Sequence, residues 1–258
     1  FFMMAYSFDF YALSVDVDWA PDFMIDYVAD SFTEAGVKCT WFITHASPAL
    51  ERLRKNPLFE LGIHPNFFEG SSHGKTEDEV IRHCLNLVPD AKSVRMHALW
   101  QNSRLLTKLR KEYRFEVDCT LFIPRTPHLI PHTIGYSPND APLVRLPCFW
   151  EDDVECLRPV RCWDIEDPGF HIPGMKMFNF HPMYVGLNEN TFENYERVKR
   201  ELCVDRSLKD LTSEELNPFI NQGVGVNVLF KGLMSYLKEK RIPTYTSLEI
   251  ANKFIESI

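Results

Sequence analysis

LSVDVDWAP, residues 13–21, begins as a buried strand and ends in acid. Val15 and Val17 are β-branched and Ser14 is small, while Asp16 and Asp18 stand two positions apart. Strand alternation therefore puts both carboxylates on one side as the chain leaves the strand. Two bare anions so placed repel each other and call for a cationic partner. Outward from this stretch, apolar β-rich runs alternate with helical patterns. Strands are expected near 11–17, 37–43, 59–64, 93–98, 115–119, 143–147 and 176–181, and helices over 21–35, 77–88, 102–112, 191–203, 224–240 and 247–256. Pro21 suits a first helical turn, Gly36 a C-terminal stop, Thr76 an N-cap, and Ser247 a cap with Glu249 nearby. Such alternation implies an α/β protein with a mainly parallel sheet, closed into a barrel or doubly wound. No G-x-G-x-x-G follows a strand, which argues against a dinucleotide fold.

The 258 residues, 45% apolar and 25% charged, describe a globular chain able to bury a large core. A formal net charge of -8 with no long Lys/Arg run argues against a nucleic-acid surface. No run reaches the roughly 18 to 20 apolar residues of a membrane span. The N-terminal FFMMAYSFDFYALS is apolar but lacks a basic leader and reads straight into the first strand, so it is not read as a signal peptide. Seven scattered cysteines without a CxxC suit reduced thiols and a cytoplasmic setting. The segment 124–147 carries six prolines and is expected to be a functional loop within one domain over 1–258.

In such folds functional groups gather where strands end. Those positions hold Asp16, Asp18, His64, Arg95, His97, Asp118 and His181. Histidines and carboxylates converging without cysteine describe a zinc-type metal site with room for water. A divalent cation would offset the repulsion between the paired aspartates, one ligating and the other free to take a proton. Trp19, Trp100, Trp150 and Tyr184 follow strand ends and could stack on sugar rings, with one or two expected in the core. His128 and His132 in PHLIPHT have i, i+4 spacing, but Pro131 between them forbids a regular helix.

These motifs together resemble the polysaccharide deacetylases, the NodB-homology or carbohydrate esterase family 4 proteins. The resemblance covers residues 11–185, with helices over 190–258 closing the domain, and implies an irregular (β/α)7 barrel. SVDVDW resembles the family's aspartate pair, which makes Asp16 the general base and Asp18 a metal ligand. FELGIHPNF resembles the strand that delivers a metal histidine, His64. VRMHAL resembles the arginine strand, with Arg95 orienting the base, and FNFHPMY the last motif, with His181 as general acid. Asp118 falls in the order of the aspartate that hydrogen-bonds that histidine. The family pattern His-x3-His is broken, because Phe68 stands four residues after His64. His73, or alternatively His97, is expected to supply the third ligand. The HPNF variant resembles WbmS-like deacetylases of surface polysaccharide and lipopolysaccharide sugars.

The resemblance implies a hydrolase that removes an N-acetyl group from an amino sugar with a divalent metal, zinc first and cobalt or nickel as alternatives. Two other functions fit the same motifs: hydrolysis of a small non-sugar amide, and an inactive carbohydrate-binding relative, which the missing histidine favours. Each residue also has an ordinary explanation. Asp16 and Asp18 could cap the helix at Pro21, Arg95 could serve a surface ion pair, and His64 and His181 could be satisfied strand-end histidines. Their joint occurrence at successive strand ends favours the catalytic reading.

Overall fold

The computed structural model describes residues 8–135 and 141–258. The first seven residues of the apolar N-terminal run, and Pro138 of the proline-rich segment, lie outside the described residues. Strands β1 (Phe10–Asp16), β2 (Cys39–Ile43), β3 (Phe59–Ile63), β4 (Ser93–Val94) and β5 (Val117–Asp118) come first. Helices α1 (Asp22–Ala35), α2 (Pro48–Lys55), α3 (Glu77–Leu87) and α4 (Ser103–Lys111) separate them. Next come β6 (His132–Ile134), β7 (Leu143–Arg145), β8 (Trp150–Glu151), α5 (Asp152–Leu157) and β9 (Met175–Phe180). The chain ends with α6 (Pro182–Gly186), α7 (Phe192–Leu202), α8 (Ser213–Leu216), α9 (Val226–Glu239), β10 (Thr244–Tyr245) and α10 (Ser247–Ile255).

The strands form one sheet in the order β6-β7-β5-β4-β3-β2-β1-β9-β8, with β10 also paired to β1. Every described pairing is parallel except β6 with β7. Beyond β5 the chain bridges Phe122 to Cys148, just ahead of β8, so the two sides of the sheet meet and it curls. Parallel strands deliver their C-terminal ends to one edge, and the ends of β1, β3, β4, β8 and β9 therefore face a common space.

β1 shows how the sequence makes that space. Tyr11, Leu13 and Val15 join the core under the helices with Val28 and Phe32 of α1 and Phe230 of α9. Ala12 belongs instead to the cluster with Phe42, Val117, Met177 and Phe254 of α10. Alternation puts Ser14 and Asp16 on the face of Ala12, inside the curl. Neighbouring strands must approach closely there. A Cβ on Gly62 of β3 would lie 2.7 Å from the Ser93 carbonyl oxygen and 2.8 Å from the Phe42 ring, so glycine is required.

Several elements differ from expectation for identifiable reasons. The strand expected over 93–98 stops at Val94, because Ala98 and Leu99 turn into the left-handed region at φ 50° and 55°. Helix α1 is entered through Pro21 with no side-chain cap, so neither Asp16 nor Asp18 caps it. Thr246, not Ser247, caps α10, in a reciprocal pair with Glu249. The proline-rich segment holds β6, whose His132 pairs with Arg145 in the ladder. Among the described residues no helix is long and apolar enough to cross a membrane.

Candidate active site

Asp16, the last residue of β1, is buried in the curl. Its Oδ2 accepts hydrogen bonds from Arg95 Nε at 2.8 Å and Asn179 Nδ2 at 2.9 Å. Asn179 is held in turn by Ser14, whose hydroxyl donates to its Oδ1 at 2.7 Å. Among the described residues Oδ1 of Asp16 has no hydrogen-bond partner, though it lies 3.6 Å from His64 Nδ1. Burial pushes this carboxyl up, but His64, Arg95 and His181 outweigh it and hold it below the usual range. Arg95, also buried, follows β4 and donates to Glu151 Oε1 at 2.7 Å and to the Cys119 carbonyl. One guanidinium thus lies between two buried carboxylates, and truncating it would leave both without their cation.

After Val17 the chain turns sharply, with Asp18 and Trp19 at φ 42° and 55°. Backbone strain of this kind is costly and marks positions held for a purpose. The turn brings Asp18 Oδ1 to 3.1 Å from His64 Nε2 and 3.1 Å from His97 Nδ1. The two ring nitrogens are 3.3 Å apart. Burial pushes Asp18 up, yet His97 and His64 hold it well below the carboxylate range.

Opposite stands His181, directly after β9 and ahead of Pro182. Its Nε2 is 3.7 Å from both Asp16 Oδ2 and Asp18 Oδ2. Nδ1 lies 2.6 Å from Asp152 Oδ1, and its backbone N–H donates to Asp152 Oδ2 at 2.7 Å. Burial favours the neutral ring, but Asp152, Asp153 and Asp18 raise the His181 pKa well above its ordinary value. A carboxyl held below its usual range and a histidine raised above its own therefore share one space. They line a cleft of about 440 Å³ whose walls also include Trp19, Tyr184, Tyr195 and Lys199.

Not all expected residues meet there. His73 does not join Asp18 and His64. Its Nε2 lies 2.8 Å from the Thr44 carbonyl oxygen, which requires a proton on that nitrogen, and Nδ1 accepts from the Asn66 N–H at 3.1 Å. Both nitrogens are spent and the buried ring packs on Trp19 and His83. Its pKa is pushed down to about 4 by burial, in keeping with a neutral ring. His97 takes the place beside Asp18 and His64 instead. Asp118 is not the partner of His181 either. It accepts from Arg145 Nε at 2.6 Å and from the Thr120 hydroxyl at 2.6 Å, and Asp152 holds the histidine. Trp150 is core, packed against Phe178 and Phe180 with Nε1 donating to Glu155. Trp100 lies outside the cleft against Phe67. His128 and His132 take no part in a histidine–carboxylate cluster among the described residues.

Glu151, Asp152 and Asp153 were missed in the sequence. PCFWEDD ends an apolar run in acids just as LSVDVD does, and that likeness was the available signal. Asp152, Asp153 and His181 also lie close enough to hold an ion. Yet both Asp152 oxygens are engaged by His181, and Oδ1 also accepts from the Asp153 N–H, which suits an orienting role.

The curled parallel sheet with its polar cluster at the strand ends is the fold of the NodB-type polysaccharide deacetylases. The chain belongs to the WbmS-like polysaccharide deacetylase family, whose model matches residues 13–199. Among solved structures it is similar to a Bordetella bronchiseptica protein described as a polysaccharide deacetylase involved in O-antigen biosynthesis. The two share 31% identity over 89% of this chain and 91% of the other, with a TM-score of 0.76. More remote are a peptidoglycan N-acetylglucosamine deacetylase, at 13% identity, 93% and 87% coverage and a TM-score of 0.46, and a Bacillus anthracis family pseudoenzyme, at 10%, 94% and 65%, and 0.44. No curated protein matches the sequence.

Proposed function

We propose that the protein is a metal-dependent N-deacetylase that acts on an amino sugar of a surface polysaccharide or lipopolysaccharide precursor. The O-antigen role ascribed to the Bordetella relative supports the substrate class. The carrying observation is the triangle of donor atoms on Asp18, His64 and His97, with sides of 3.1, 3.1 and 3.3 Å. Ligand atoms at zinc bond lengths on a tetrahedral ion stand roughly 3.3 Å apart. One carboxylate with two imidazoles and no thiolate fits zinc, with cobalt or nickel as substitutes. His97, in the turn after β4, stands beside Asp18 and His64, which supports reading it as the third ligand in place of Phe68 and the chain as active.

A cation held there would polarise an amide carbonyl and make water more acidic. Asp16 Oδ1, the oxygen without a hydrogen bond, takes the proton of the attacking water, while Arg95 and Asn179 keep the other oxygen fixed. His181 Nε2 donates a proton to the departing amine, its ring held in place by Asp152. General acid and general base each contribute roughly a hundredfold to ten-thousandfold. Trp19 and Tyr184 form walls against which a sugar ring rests. The products are acetate and a free amino sugar.

The test is acetate release from free and nucleotide-linked N-acetylated sugars by the full chain loaded with zinc, cobalt or nickel. Protein carrying one ion per chain that releases no acetate from any of them refutes the reading.

A further inference from the structure

Glu155 of α5 is a buried carboxylate, its side chain 2% exposed, that carries more cation than it needs. It accepts from the Cys162 N–H at 2.9 Å and from Trp150 Nε1 at 3.2 Å. Arg125 Nη2 lies 3.3 Å from each of its oxygens, and Arg158 Nη1 3.5 Å from Oε2. One carboxylate offsets one guanidinium, so the two arginines leave a positive charge over. Nor is Arg125 fully bonded. A guanidinium brings five N–H donors, yet among the described residues neither Nε nor Nη1 of Arg125 has an acceptor. Its guanidinium sits 4.5 Å from the centre of the Phe170 ring, and its backbone is left-handed at φ 47°, uncommon for a residue with a side chain. The two arginines line a cavity of about 370 Å³ whose other walls include Phe122, Pro124 and Phe149. Pro124 opens the proline-rich segment expected to be a functional loop. Glu151 and Val154 line both this cavity and the cleft, so the two lie side by side. Glu151 is already paired with Arg95 and does not cancel the surplus. A mainly apolar cavity with two guanidinium groups suits a carboxylate or a phosphate, whose oxygens arginine meets with paired N–H bonds.

We propose that Arg125 and Arg158 bind an anionic group of the substrate, a carboxylate or a phosphate, while its N-acetyl group occupies the cleft. The substrate is therefore an acidic amino sugar or a phosphate-linked one. This rests on the deacetylase reading of the cleft and adds the charge that the site selects. Hydrogen bonds to a charged group correspond to about tenfold to hundredfold in affinity.

The experiment measures binding to the zinc-loaded full chain by calorimetry. The probes are N-acetylglucosamine, its 1-phosphate, and N-acetylmuramic acid, which carries a carboxylate. At least one of the two anions is expected to bind about tenfold to hundredfold tighter than the neutral sugar, and which one does so tells phosphate from carboxylate. The formal net charge of -8 opposes such a gain, so it has to come from a local site. A zinc ion also attracts anions, and the variants separate the two causes. Arg158→Gln, at a side chain 44% exposed, should cut the ratio of anion to neutral affinity by about tenfold, and Arg158→Lys should restore part of it. Arg125→Gln should cut the same ratio; because it strips a cation from buried Glu155 it can fail to fold, and Arg158→Gln then decides alone. Equal affinity for all three probes, no binding of any of them, or a gain undiminished in Arg158→Gln overturns the proposal. Acetate release from the same three sugars is read separately. An arginine-dependent gain without acetate sinks the deacetylase reading and leaves the anion position standing, whereas acetate release without such a gain sinks the anion position alone.

Discussion

His73 and His97 are nine and thirty-three residues from His64, and replacing each with alanine should produce opposite phenotypes. His73→Ala removes a ring that donates to the Thr44 carbonyl and accepts from the Asn66 N–H, both inside the protein. Each backbone group left without a partner costs about 1–3 kcal/mol. Loss of packing on Trp19 and His83 adds to this, for a total of about 3–5 kcal/mol. For a chain of this size that is a fall in Tm of roughly 10 °C. His97 is only partly buried and makes a single polar side-chain cluster with Asp18 and His64, so His97→Ala should move Tm by a few degrees at most. Its loss instead removes one of three donors. Removing a group that merely orients a ligand already costs about 10- to 100-fold in metal affinity, so loss of a donor should cost at least about 100-fold. The assays are thermal unfolding of the two apo variants and zinc competition titration of the refolded proteins. A His97→Ala protein that retains wild-type zinc affinity, with a His73→Ala protein that loses zinc at unchanged Tm, would refute the assignment.

Asp16→Asn should retain zinc, because the donor triangle does not include Asp16, while acetate release falls by about a hundredfold or more; metal content and turnover on one sample check both. Asp152→Asn removes the leading charge that raises the His181 pKa, so the alkaline limb of kcat/KM against pH should move to lower pH. An unmoved limb would mean that His181 is not the acid. Glu189 is buried; Asn194 Nδ2 donates to its Oε1 at 2.9 Å, and among the described residues its Oε2 has no hydrogen-bond partner. Burial pushes its carboxyl up to about 8 against the opposing pull of Asn194 and Arg197. The folded chain then holds a proton that the unfolded chain releases. Stability should therefore fall as pH rises from about 5 to about 8, by up to about 4 kcal/mol. Urea unfolding across that range should show the slope flattened in Glu189→Gln.

The strand-end residues Asp16, Asp18, His64, Arg95 and His181 were visible in the sequence because period-2 alternation and strand order are local properties. What was hidden depends on where loops travel. His73 and His97 looked interchangeable, and the choice rests on the turn at Ala98 and Leu99 and on a loop that spends both nitrogens of His73 on backbone. Asp152 was passed over for Asp118 because β8 is two residues long, and its pairing with β9 is a contact across 28 residues that no local pattern records. Trp150 looked like a platform residue from its place at a strand end. Strand faces decide otherwise, since alternation sends Trp150 under the helices and Glu151 into the curl.

The proposed amide hydrolysis asks for an acid and a base in adjoining positions with opposite charge states, and 3.7 Å between His181 Nε2 and Asp16 Oδ2 would invite them to exchange the proton and cancel the roles proposed for them. Each of the two groups has its own counter-charge, Arg95 for Asp16 and Asp152 for His181. Arg95, itself balanced by Glu151, keeps Asp16 ionised, and Asp152 keeps His181 protonated. Neither partner could be supplied by solvent at this burial, because water would equalise the two environments. Arg95 directly follows β4, Glu151 ends β8 and Asp152 opens the first turn of α5, so the separation of charge states depends on the curl that brings β8 around to β1 by way of β9. The curl is thus as much a part of the proposed acid–base pair as the two side chains.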